Sequence, residues 1–161
     1  MDKPDKYWNF VLQLKRYCNY QERCTAEINR KMFQLDVPVE WQSEILDYLI
    51  ENNLLNEKRF AISYSIGKIR NNYWGKQKIL ASLKQKKIDT SLINEAFKFV
   101  DDEEYLSILR HIMNIKIGKI GDISIDKNKK KLLNYALQKG FESSLIWQVI
   151  KEIELNNKYG N

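Results

Sequence analysis

Cysteine is scarce in this chain: Cys18 and Cys24 are the only two, and they form no C-x-x-C pair. Two cysteines cannot build a disulfide framework, and both are expected to be reduced, small and partly buried. Histidine is scarcer still, with His111 alone, which excludes a metal cluster holding several His ligands. Six glycines and two prolines are few for a sheet-rich protein with many tight turns. Helix is favoured instead. No apolar run approaches the roughly 18 residues that a membrane-crossing helix needs. The opening stretch, Met1 to Lys6, is polar and lacks an apolar signal core. These absences lead to the expectation of a soluble, cytoplasmic protein.

What is present is a globular composition with uneven charge. The 161 residues are 43% hydrophobic and 30% charged, which separates them from disordered tails. The formal charge is +6, enough to favour phosphate, an anionic surface or an acidic protein face, without bearing on fold. Between Lys58 and Ile88 there is no Asp or Glu, while Lys58, Arg59, Lys68, Arg70, Lys76, Lys78, Lys84, Lys86 and Lys87 all fall there. Acids are displaced to the flank, as in Asp101, Asp102, Glu103 and Glu104. Such a run reads either as a binding face or as an ordinary solvated helix face.

Self-comparison organises the chain. Ile79, Leu83, Ile88, Ile93 and Ala96 align at one constant offset with Leu132, Ala136, Phe141, Ile146 and Val149. Towards the N-terminus, Ile79, Leu83, Ile88 and Ala96 align with Ile28, Met32, Val37 and Ile45. A recurrence of apolar positions with a period of roughly 50 residues marks tandem supersecondary units. Each unit reads as three helices. In the middle one, an apolar stripe at helical spacing covers Asn56 to Asn71, a shorter helix runs from about Gly75 to Lys86, and a third carries Leu92 to Val100. Asn56 suits a helix N-cap, and Gly75 and Gly140 suit turns needing φ > 0. The predicted fold is therefore all-α: three tandem three-helix repeats, 1–54, 55–101 and 102–161, in an elongated, curved array. Ile117 to Ile125, with two glycines and little periodicity, is assigned to a loop. Trp8, Trp41 and Trp147 fall in register with Leu or Ile positions and are assigned to the core.

Little in the chain suggests catalysis. Gly118-Lys119-Ile120-Gly121 lacks the glycine spacing of a P-loop or a dinucleotide-binding turn, and no nucleophile stands beside a base. No cofactor or metal is expected. The remaining candidates are basic and aromatic: Arg59, Lys68, Arg70, Lys76, Lys78 and Lys84 as polar contacts, with Tyr73 and Trp74 as anchors at the turn between two helices. Aromatics beside Lys and Arg can stack on bases or anchor a protein interface. Trp74 can equally pack against its own unit, and Arg59 can equally be a structural ion-pair partner. The Lys127, Lys129, Lys130 and Lys131 cluster reads as a solvated helix start.

The middle block, Asn56-Glu57-Lys58-Arg59-Phe60-Ala61 followed by Tyr64, Arg70, Tyr73-Trp74-Gly75, Ile79, Leu83 and Ile88, resembles the RecX family of regulatory proteins. The ending Leu137-Gln138-Lys139-Gly140-Phe141 is similar to that family's last repeat. Lys87 departs from the pattern, standing where glycine is common, and Asp36-Val37 occupies the same turn in the first unit. The resemblance implies a cytoplasmic bacterial modulator of the RecA recombinase. Such a protein binds the RecA–DNA filament and usually inhibits strand exchange, ATP hydrolysis or filament growth. It also implies no reaction or cofactor, with RecA and single- or double-stranded DNA as partners. Membrane association is not expected, since the apolar stripes are taken up between helices, and a monomer is expected. A general helical nucleic-acid-binding protein and a protein-only adaptor stand as the alternatives.

Overall fold

The computed structural model of the chain describes residues 2–160. Among them are nine helices and no strand: α1 Asp5–Tyr20, α2 Thr25–Gln34, α3 Val39–Glu51, α4 Glu57–Asn72, α5 Lys76–Gln85, α6 Thr90–Phe97, α7 Asp102–Ile120, α8 Asp126–Gln138 and α9 Ser143–Tyr159. The all-α expectation holds. No helix among the described residues is long and apolar enough to cross a membrane.

The helices form where apolar residues recur on one face. Along α1 the buried positions are Tyr7, Phe10, Val11, Leu14 and Cys18, the three- and four-residue spacing that aligns side chains in one stripe. Local signals fix the ends. The Asn56 side chain accepts from the Arg59 backbone N–H at 2.9 Å, satisfying a donor that the first turn of α4 leaves free. Asp101 does the same for Glu103 at 3.0 Å, opening α7.

One turn closes α2, α5 and α8 alike, and follows α3 as well, at Asn53. After α2, α5 and α8 the chain passes through a residue with positive φ: Asp36 at 57°, Lys87 at 61° and Gly140 at 97°. The next residue then donates back to the helix, Val37 to the Met32 carbonyl at 3.0 Å, Ile88 to Leu83 at 3.1 Å and Phe141 to Ala136 at 3.2 Å. This is the closure that satisfies the orphan carbonyls of a helix end, and it comes with an apolar contact. Val37, Ile88 and Phe141 are all buried, as are Met32, Leu83 and Ala136. The aligned apolar register of the sequence is thus an aligned set of helix endings.

The chain divides into two compact units: residues up to Ser63 with Leu83–Ala96, and Tyr64–Ser82 with residues from Phe97 onward. In the first, Tyr7, Phe10, Leu14, Ile28, Met32, Ile45 and Leu49 form the core, with Trp41 half-buried against it. Both cysteines are free thiols here and are buried. Burial pushes the Cys18 thiol up to about 11. In the second unit, Tyr105, Leu109, Met113, Leu132, Phe141 and Ile146 are buried. The Tyr105 hydroxyl accepts from the Lys76 N–H at 2.9 Å and donates to Glu142 at 2.8 Å. Burial raises its pKa well above the usual tyrosine value, so it stays protonated and can make both bonds.

Three expectations need correction. The segment expected to be a loop from Ile117 continues α7 to Ile120. Gly118 lies in open space within that helix, and the stop comes only at Gly121, with φ of 98°. Trp8 and Trp147 are not core, being 48% and 40% exposed, because Tyr7 and Ile146 beside them take the buried direction. Trp8 instead meets the Tyr7 and Tyr48 rings edge-on at the rim. Gly75 has no positive φ; its requirement is steric. A Cβ there would lie 2.2 Å from the Gly140 carbonyl carbon.

Candidate nucleic-acid interface

The turn between α4 and α5 gathers aromatic rings and lysines within the second unit. Tyr73 adopts φ of 55°, and the Trp74 N–H donates to the Lys68 carbonyl at 3.1 Å, closing α4. This closure puts the Trp74 ring beside the lysine that precedes it by two turns of chain. The Lys68 ammonium lies 4.8 Å from the Trp74 centroid and 5.4 Å from that of Tyr64. Lys78, in the first turn of α5, places its ammonium 4.6 Å from the Trp74 centroid. Two cations therefore share one indole, an attraction worth about 0.5–1 kcal/mol each at an exposed site.

A further cation reaches this turn from far along the chain. Lys139 donates from Nζ to the Asn72 carbonyl at 2.9 Å. Its pKa is lowered, first by burial and then by Lys78 nearby. The close approach of two backbones brings it there. The Gly75 N–H donates to the Lys139 carbonyl at 2.7 Å, and the Gln77 N–H donates to the Gly140 carbonyl at 2.9 Å. Lys68, Lys78 and Lys139 have no ion-pair partner among the described residues. Trp74 remains partly open and Lys78 exposed. Such a cluster offers ammonium donors to phosphate oxygens and an aromatic face to a base.

The other expected site residues are engaged elsewhere. Arg70 forms a two-pronged pair with Glu104, at 2.6 and 3.0 Å, which holds the Glu104 carboxyl below its ordinary range. Lys76 folds back: its ammonium sits 4.7 Å from the Tyr105 centroid and 3.9 Å from an Asp102 oxygen. The Tyr73 ring meets His111 edge-on at 5.7 Å. Arg59 lies in the first unit, where it donates to Glu22 at 3.0 Å and to the Asn53 side chain and carbonyl at 2.8 Å each. Each of its three nitrogens makes one of these bonds, which tie the α1–α2 connection and the residues before α4 to the start of that helix. Lys84 also belongs to the first unit and is exposed on α5. Lys68, Trp74 and Lys78 thus come together, joined by Lys139, which the sequence marks as part of the last-repeat motif but not as a contact. No group of three or more His, Cys, Asp or Glu side chains among the described residues could hold a metal ion.

Comparison with known proteins gives this arrangement a context. Residues 56–96 match the family described as RecX, second three-helix domain. The chain is 30% identical over 156 residues to the regulatory protein RecX of Clostridium acetobutylicum, covering 92% of this chain and 72% of that one. It is 26% identical over 141 residues to the regulatory protein RecX of Lactobacillus johnsonii, covering 88% of this chain but 52% of the relative. The chain therefore spans about half the length of that relative. The crystal structure of RecX from Lactobacillus salivarius superposes with a TM-score of 0.82 at 25% identity, covering 94% of this chain and 98% of that one.

Proposed function

Because the chain belongs to the RecX family of regulatory proteins, we propose that it acts by binding a RecA–DNA filament and inhibiting the recombinase, its ATPase and its strand exchange. The role is one of binding, without a reaction or cofactor of its own, carried out by a monomer in the cytoplasm. The observation that carries this reading is the Lys68–Trp74–Lys78 cluster, with Lys139 behind it. Three ammonium groups without carboxylate partners are suited to a polyanion, and contact with phosphate releases its counterions. The half-open indole adds an apolar anchor.

Arg70 and Lys76 contribute less to such a contact, since their charges are already met by Glu104 and Asp102. The neutralising variant K68Q/K78Q is expected to weaken inhibition by about tenfold at low salt, as befits the removal of two cations that would each face a phosphate. The measurement is RecA ATP hydrolysis on single-stranded DNA with this protein titrated in. A wild-type chain that leaves RecA hydrolysis unaltered sinks the functional reading. Full inhibition by a folded K68Q/K78Q would keep the function but move the contact off this surface.

A further inference from the structure

A second basic feature lies on the last three helices. Between α7 and α8 runs a groove of about 450 Å³. From α7 come Lys116, Lys119 and Ile120; from α8 come Lys131, Asn134, Tyr135 and Gln138, which share one helix face by their three- and four-residue spacing. No carboxylate lines it. Lys116, Lys119 and Lys131 have no ion-pair partner among the described residues, whereas neighbouring Lys129 is committed to Glu154 at 2.5 Å. The Lys116 ammonium is held 4.8 Å from the Tyr135 ring centroid, so its position does not depend on an anion.

Three like charges around one concavity focus a positive potential along it. Their spread matters as much as their sign. The lining of α8 from Lys131 to Gln138 extends about 10 Å along the helix axis, too long for one phosphate and suited to a strand carrying several. The uncharged groups add donors between the charges. Ammonium, carboxamide and phenol groups are among the side chains that contact sugar and phosphate in nucleic-acid complexes.

We propose that the α7–α8 groove is a track for the phosphodiester backbone of a nucleic-acid strand, and that it binds without any protein partner. The decisive measurement is the affinity of the purified chain for a fluorescent single-stranded oligonucleotide over a salt series, with a duplex of the same sequence as a second arm. In K119Q/K131Q the slope of log affinity against log salt should fall by about 1.4, which is about 0.7 for each single-strand phosphate no longer neutralised. Affinity at low salt should drop at least tenfold in the strand arm, and the thermal transition should stay at the wild-type value, since both side chains are exposed. An unaltered slope and affinity would overturn the proposal. So would an equal loss in K6Q/K15Q on α1, which would reduce the effect to net charge. Polyglutamate bound as tightly as the oligonucleotide, and released by the same variant, would reassign the groove to acidic protein. RecA is absent from every arm, so failure here leaves the filament assay standing, and failure there leaves this one.

Discussion

The turn after α5 and the turn after α8 follow the same backbone path yet place opposite demands on their residues. Lys87 takes φ of 61° with its side chain in solvent, and the same geometry is met at Asp36. Gly140 takes φ of 97° while packed so closely that an added Cβ would lie 2.4 Å from the Lys78 Cβ and 2.6 Å from its backbone nitrogen. The left-handed conformation alone costs a non-glycine residue roughly 1–2 kcal/mol, which the first two turns bear. Contact with a second backbone is what makes glycine obligatory at the third. That same contact carries Lys139 to the Trp74 turn, so the turn at Gly140 also helps assemble the candidate interface.

Substitutions at these turns can break the comparison. Gly75→Ala should be the most damaging, because its Cβ would overlap rigid backbone, at 2.2 to 2.3 Å from Gly140 and Phe141. A loss of about 3 kcal/mol is expected by denaturant unfolding, since neither partner is a flexible side-chain end that can move aside. Gly140→Ala should cost about 2 kcal/mol, combining the strain of positive φ with the Lys78 overlap. In either variant, retention of wild-type stability would mean that the two backbones do not approach as described. Lys87→Gly should have the smallest effect and the opposite sign, a gain of about 0.5 kcal/mol from relieving φ strain, partly offset by the entropy of glycine. Destabilisation by this change would show that the Lys87 side chain contributes a contact of its own.

Much of the fold is legible in the sequence because burial periodicity is a local property. The aligned apolar positions Ile28, Ile79 and Leu132 are each fully buried, and α4, α5 and α6 end within a few residues of where their stripes end. Sequence and structure part where local rules are outvoted. Two glycines near Ile120 suggest a loop, but a helix tolerates Gly118 when its neighbours supply the hydrogen bonds. Trp8 and Trp147 are apolar enough for the core, yet the slot beside each is taken by another side chain.

The site divides in the same way. Lys68, Trp74 and Lys78 stand within three helical turns of one another, so their clustering follows from spacing. The acids following the basic run are also visible, but their assignment to Arg70 and Lys76 depends on how α7 packs. That Glu104 and Asp102 meet those two cations cannot be read from the chain. Lys139 is hidden for a similar reason. Its arrival depends on an approach between backbone segments more than sixty residues apart, for which a small residue is a necessary sign and not a sufficient one.

The two cysteines acquire a chemical character from their setting. Only the deprotonated sulfur attacks an oxidant or an alkylating reagent, and burial, which pushes the Cys18 thiol up to about 11, keeps that form scarce at neutral pH. Cys18 is therefore chemically quiet by acidity as well as by enclosure. Labelling of it that quickens under mildly destabilising conditions therefore reports opening on the α1 side of the core, a native stopwatch for breathing in that part of the chain.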